Sequence, residues 1–320
     1  MMHPVLVLCG PTAVGKTELA LQVAERFSCE ILSVDSMQVY RYMDIGTAKP
    51  TTAERSRIPH HLIDIVNPDE HYTLGRFIKD AETAVRIIYS HGKIPLLAGG
   101  TGLYFKGFLN GVFSENQTFA VKGEGADKRE IDSLRHSLRK KLHEVGRDAL
   151  HRELAELDPE SAARIHPNDT QRLLRGLEIY YLTGITWSKH LTLQENRPSR
   201  YRAIKIGLTR PRKSLYERIT KRVQHMVAQG LLAEVKNLLA MGYDKKLKSM
   251  QSIGYRHMIN FIEKTWDWEK ALELLARDTR HYAKRQYTWF NSDPEIIWYD
   301  VNELDNIFRE IDSFLAQKTA

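Results

Sequence analysis

The chain has 320 residues, 42% hydrophobic and 27% charged, with a formal charge of +7 and a pI near 9.2. This is the composition of a globular protein long enough for more than one domain, and it excludes fibrous and disordered chains. Cys9 and Cys29 are the only cysteines, too few for a disulfide framework or a thiolate metal cage. No apolar run approaches the roughly 18–20 residues that cross a bilayer, and the N-terminus lacks the basic region and long apolar core of a signal peptide, so none is expected. We therefore expect a reduced, cytoplasmic protein with no membrane association.

The first predicted strand is the apolar run Val5–Cys9, and Glu18–Ala24 reads as a helix. Between them lies Gly10, Pro11, Thr12, Ala13, Val14, Gly15, Lys16 and Thr17. Strand, glycine-bounded loop and helix form the context that makes G-x-x-x-x-G-K-[ST] a phosphate-binding loop. Gly10 and Gly15 let the backbone curl so that N–H groups converge on one anion. The helix adds its unpaired N-terminal amides, Lys16 a full charge, and the Thr17 hydroxyl a ligand for Mg²⁺.

Glu30–Asp35 is a second short strand, which puts Asp35 at a strand's C-terminal end, the edge where open α/β sheets bind ligands. Met43–Pro50 reads as a loop and Ile58–Ile65 as a third strand. Adjacent histidines on a strand point to opposite faces, so His60 and His61 suit packing or hydrogen bonding better than a shared metal. Phe77–Tyr89 has helical spacing and stops at Gly92. Ile94–Ala98 is another strand, running into Gly99, Gly100, Thr101 and Gly102 before a helix opens at Leu103. Strands alternating with helices predict an α/β fold, a P-loop NTPase-like parallel sheet wound with helices.

Past Gly111 the character changes. Residues 114–127 are polar and glycine-containing, as in a linker, and no strand signal remains from Lys128 to Tyr181. Ile131, Leu134, Leu138 and Leu142 make one helical face. Asp158-Pro159 caps a short helix, and Asn168 or Asp169 caps a longer one closed by Gly184. Ala203–Leu208 then returns to the sheet. Helices follow through Leu215–Val227, Leu231–Met241, Met258–Glu263 and Trp268–Phe290, with a last strand at Glu295–Tyr299. Residues 1–114 and 200–320 are expected to form a catalytic core with C-terminal helices, and 115–199 an all-helical insertion. The tryptophans at 266, 268 and 289 suit a core better than a base-stacking platform.

Basic residues concentrate at Arg200–Arg222, where Glu217 is the only acid, and again at Lys128–Arg152 and Arg277–Arg285. Three such zones on a chain that also holds a phosphate point to nucleic acid. Lys16, Thr17, Asp35 and Thr101 all belong to loops at the C-terminal ends of predicted neighbouring strands, which converge on one crevice. Two reaction classes fit there. One is phosphoryl transfer from ATP, with Asp35 as base or metal ligand; the other moves a non-phosphoryl group, with diphosphate leaving.

Beyond the loop, several segments occur in order: Asp35–Tyr40, Met43–Pro50, His60–Asp64, Gly99–Tyr104, His166–Arg172, Ser252–Arg256 and Thr279–Phe290. With the loop, this series resembles the motifs of bacterial tRNA dimethylallyltransferases, also called tRNA isopentenyltransferases, along nearly the whole chain. The resemblance implies that a dimethylallyl group moves from dimethylallyl diphosphate to N6 of the adenosine 3′ of the anticodon. It gives Gly10 to Thr17 to the diphosphate, with Mg²⁺ on Thr17 and Asp35 as a further metal candidate. Asp35 becomes the base, with Lys16, Thr17, Thr101 and Arg212 as its catalytic companions.

The resemblance also implies a set of tRNA contacts. Asp35, Ser36, Met37, Gln38 and Thr101 would meet the extruded adenosine. Gln171, Arg172, Leu173, Leu174 and Arg175, together with Met250, Gln251, Ser252, Ile253, Gly254 and Tyr255, match stretches that touch tRNA, and Arg135 is a looser match. The insertion would grip the anticodon stem, and the chain would act as a monomer. Val14, Tyr42 and Asn291 depart from the usual Ser, Gly and Arg, and residues 114–127 are longer than usual. Two other readings are an enzyme prenylating free adenine nucleotides and a P-loop kinase or RNA-binding NTPase.

Overall fold

Along the first strand, Leu6 and Leu8 join one apolar cluster while Val5, Val7 and Cys9 join another. That alternation belongs to a strand buried on both faces, as parallel sheets are. The computed structural model describes residues 3–111, 128–195 and 199–317. Contacts divide the chain into two compact units, Met1–Leu109 with Arg200–Ala320, and Asn110–Ser199.

The first unit opens with β1 (Pro4–Cys9), α1 (Lys16–Arg26), β2 (Cys29–Val34), α2 (Thr52–Arg57) and β3 (His60–His61). Next come α3 (Leu74–Ser90), β4 (Ile94–Gly99) and α4 (Gly102–Asn110). The six-stranded sheet has the order β3-β2-β4-β1-β5-β6, with every pairing parallel; its last two strands are β5 (Arg202–Thr209) and β6 (Ile296–Asp300). The remaining helices are α9 (Arg212–Ala228), α10 (Leu231–Ala240), α11 (Tyr255–Ile262), α12 (Trp268–Phe290) and α13 (Leu304–Ala316). One sheet face packs under α1, α9 and α13, the other under α3 and α4. A third cluster joins α9 to α12 with Val39, Tyr40, Met43 and Val66.

The second unit contains α5 (Lys128–Leu157), α6 (Pro159–Arg164), α7 (Thr170–Thr183) and α8 (Trp187–Glu195). Leu138, Leu150, Leu154, Ile165, Leu173 and Leu177 form its own core. Helix α5 breaks at Gly146, where φ is 78° and ψ 171°. Asp158 caps α6, with Pro159 in its first turn, and Asp169, not Asn168, caps α7. The linker expected at 114–127 lies outside the described residues.

The third strand is shorter than expected. Leu62 at φ 63° and Asp64 at φ 58° leave the extended region, so only His60 and His61 pair with β2. Their rings hydrogen-bond: His60 Nδ1 lies 2.7 Å from the Ile58 carbonyl, and His61 Nε2 lies 2.7 Å from the buried Glu30 carboxylate. Sequence reading also passed over α2, α8 and α13. The first carries a capping box, Thr51 with Glu54. The last buries Ile307 and Ile311 at helical spacing. Trp266 and Trp268 pack against the third cluster, whereas Trp289 is 38% exposed.

Candidate active site

Register brings the strand ends level. Cys9 pairs with both Gly99 and Gly207, and Val34 pairs with Gly99. The loops beginning at Gly10, Asp35, Gly100 and Arg210 therefore leave one edge of the sheet, with β1 at its middle.

In the first loop Gly10, Ala13 and Gly15 have φ of 143°, 65° and 122°. A Cβ on Gly10 would stand 2.7 Å from the Leu208 carbonyl oxygen, so only glycine fits against β5. The loop's carbonyls are turned towards cations. Lys16 Nζ donates to the Gly10 and Pro11 carbonyls at 2.9 and 2.8 Å. Arg218 Nε donates to the Ala13 carbonyl at 2.9 Å and Arg210 Nε to that of Val14 at 2.7 Å. Among the described residues, the N–H groups of Ala13, Gly15, Lys16 and Thr17 have no acceptor. Carbonyls held outward with amides left unpaired make an anion-binding turn.

The charges crowd. Burial, and after it the neighbouring Arg222, pulls the Lys16 ammonium down to about 8, against the opposing pull of Asp35. Burial likewise lowers the Arg222 guanidinium, again opposed by Asp35. Arg222 Nη1 also reaches the Thr12 hydroxyl at 3.4 Å. The site is thus short of negative charge, and a diphosphate would relieve Lys16 and Arg222 together.

Asp35 uses one oxygen locally. Its Oδ1 accepts from the Met37 and Gln38 N–H groups at 2.8 and 3.3 Å, while Oδ2 has no partner among the described residues. Thr101 sits beside it. The Ser36 N–H donates to Thr101 Oγ1 at 3.1 Å, and burial, and after it Asp35, pushes the Tyr282 phenol up. One turn along α12, the buried Gln286 accepts from the Thr12 N–H at 2.8 Å and donates to the Gly100 carbonyl at 2.9 Å. Arg210, Arg218, Arg222, Tyr282 and Gln286 were not singled out from sequence. Tyr282 and Gln286 stand four apart in the Thr279–Phe290 segment, the spacing of one helical face.

Other candidates stand further off or are occupied. The exposed Arg212 guanidinium lies 5.1 Å from the centre of the Tyr216 ring, a turn or more before the α9 arginines that touch the loop. The Gln38 amide accepts from Ser33 and donates towards the Thr47 and Ala48 carbonyls. Met250 and Tyr255 are fully buried. The Tyr255 hydroxyl donates to Glu234, which also takes the N–H groups of Asp44, Ile45 and Gly46. Burial thus leaves Gln251 as the exposed side chain of that stretch, with Ser252 and Ile253 partly covered and Gly254 buried.

In the second unit Leu173 is core and Leu174 packs against it. Arg135 and Arg175 both bind the buried Glu178, at 2.8 Å each, while Gln171 and Arg172 are exposed. Thr17 is exposed at the start of α1. No group of three His, Cys, Asp or Glu side chains able to hold a metal occurs among the described residues.

Sheet, loop and edge define a P-loop-type α/β protein with a carboxylate at the end of the next strand but one. Residues 38–293 match the IPP transferase family, and residues 3–64 also match the Isopentenyl transferase family. The chain is 48% identical to a tRNA dimethylallyltransferase of Desulfotalea psychrophila over 99% of this chain and 97% of that one. It is 45% identical to one from Thermotoga petrophila over 93% and 92%. A crystal structure of a Bacillus halodurans tRNA isopentenylpyrophosphate transferase aligns with TM-score 0.71 at 37% identity, covering 98% of this chain and 97% of that one. A eukaryotic dimethylallyltransferase acting on tRNA aligns with TM-score 0.84 at 28% identity, covering 99% and 80%. This chain belongs to the IPP transferase family.

Proposed function

We propose that the protein transfers a dimethylallyl group from dimethylallyl diphosphate to N6 of the adenosine 3′ of a tRNA anticodon. One observation carries this reading: unpaired loop amides and a carboxylate with a free oxygen leave the same edge of the sheet. The C–O bond to diphosphate breaks as the N6–carbon bond forms. Positive charge develops on the allylic carbon and negative charge on the departing diphosphate. The N–H groups of Ala13, Gly15, Lys16 and Thr17 meet that negative charge, with the Lys16 ammonium and the field of Arg210, Arg218 and Arg222. Arg212 would join them by leaving the Tyr216 ring.

The amine becomes acidic only as it is alkylated, and Asp35 Oδ2 takes its proton. Thr101 and the Ser36 N–H hold the carboxylate's loop in place. The donor set suits Mg²⁺: the Thr17 hydroxyl supplies one hard oxygen and diphosphate oxygens the rest, with Asp35 near the same edge. When bound, the ion would neutralise the leaving group.

The adenosine must leave its stack to reach the edge. The backbone of Ser36–Gln38 offers the nearest polar groups, because the Gln38 side chain is engaged. The helical unit takes the anticodon stem through phosphates, with the exposed Gln171 and Arg172 as first contacts and Gln251 a further contact from the first unit. We place the reaction in the cytoplasm, carried out by a monomer.

Incubation with labelled dimethylallyl diphosphate tests this against its competitors. Label should enter unmodified tRNA and not AMP, and ATP should not be consumed. Label in AMP alone would support the free-nucleotide reading. Asp35→Ala should keep tRNA affinity and lose turnover by about 10²–10⁴-fold; undiminished single-turnover rates would remove the base assignment.

A further inference from the structure

We propose that Gln286, on α12, is a positioning residue that locks the diphosphate loop to the loop carrying Thr101. This rests on the reaction proposed above. The two loops begin on neighbouring strands, β1 and β4, and no backbone hydrogen bond joins them past Cys9 and Gly99 among the described residues. Gln286 closes that gap from 274 residues away, accepting from the Thr12 N–H at 2.8 Å. Its amide nitrogen donates to the Gly100 carbonyl at 2.9 Å.

The side chain is 5% exposed, so water does not replace either bond. A Cβ on Gly100 would stand 2.1 Å from the Gln286 amide nitrogen, which ties the bare α-carbon to this contact. An uncharged carboxamide both accepts and donates, as a carboxylate cannot. Next to Gly100, Thr101 Oγ1 takes the N–H of Ser36, the residue after Asp35. The chain of contacts thus runs from the donor's loop through α12 to the base.

Two consequences follow. Binding the Thr12 N–H to Gln286 withholds it from the anion, so the diphosphate is met by the amides from Ala13 onward. Fixed loop spacing also sets the distance between the donor carbon and the amine held at Asp35, where a misplacement of about 1 Å costs roughly 10²-fold. Substitution should therefore lower kcat and leave donor KM little changed.

Gln286→Ala and Gln286→Glu are compared with the wild-type protein for three readouts. The first is kcat and donor KM with tRNA; Gln286→Ala should lose about 10²-fold in kcat with KM held within about threefold. The second is the pH profile of Gln286→Glu. Its carboxylate cannot donate to Gly100 and its acid can, so its activity relative to wild type should rise as pH falls from 8 to 5. The third is hydrogen exchange of the Thr12 amide, which should lose protection in Gln286→Ala. A folded Gln286→Ala protein with Thr12 still protected overturns the lock, and so does a kcat within threefold of wild type. If the wild type transfers no label to tRNA, the reaction above falls, and Thr12 exchange alone decides whether α12 ties the loops.

Discussion

Lys16 serves the site at a cost to the ligand-free protein. The residue is partly buried, and its ammonium donates to two carbonyls of its own loop. Burial and Arg222 hold its pKa near 8, below the usual 10.5. The folded chain therefore binds this proton less tightly than the unfolded chain does. Stability from this group should rise as pH climbs from about 8 to 10.5, while the charge that attracts diphosphate is lost over the same range. Calorimetry with inorganic diphosphate should show level affinity below pH 7 and a fall of up to about tenfold per unit above pH 8. Level affinity to pH 10 would show that Lys16 does not titrate there. Tyr42 is another residue whose oddity becomes physical: it sits at φ 66°, the left-handed region that favours glycine.

At the scale of elements, loops between strands are held by side chains from distant helices. Glu234 on α10 gathers three consecutive N–H groups at Asp44, Ile45 and Gly46, plus the Tyr255 hydroxyl. Bonds to a charged acceptor are worth about 1.5–3 kcal/mol each and are not additive. Glu234→Ala should therefore destabilise the protein by about 3 kcal/mol and expose residues 43–50 to proteolysis; a urea midpoint within error of wild type would refute the clamp. Helices α1, α3 and α12 and strands β1, β2 and β4 were legible because periodicity and glycine punctuation are local. The third strand was over-read because nothing in Leu62 or Asp64 announces a left-handed backbone. Helix α13 was readable from the spacing of Ile307 and Ile311 and was passed over.

At the scale of the molecule, each unit has its own core. We expect them to melt separately. Leu150 is fully buried in the helical unit, so Leu150→Ala should cost about 3 kcal/mol there. Hydrogen exchange should then quicken in α5 to α8 and not in the sheet; equal loss of protection in β1 and β4 would mean one cooperative unit. No described helix is long and apolar enough to cross a membrane.

The amino-acid order alone determined the phosphate loop, the parallel sheet around it and the carboxylate at the next strand end. Each is written in a short run of residues obeying strand, turn or helix rules. Only the tertiary structure decided which cations turn the loop's carbonyls outward, that Gln286 ties this loop to the one at Gly100, and that Met250, Leu173 and Tyr255 face inward. Those outcomes depend on how helices two hundred residues away pack against the sheet. Periodicity tells which face of a helix is buried, but not which loop it meets.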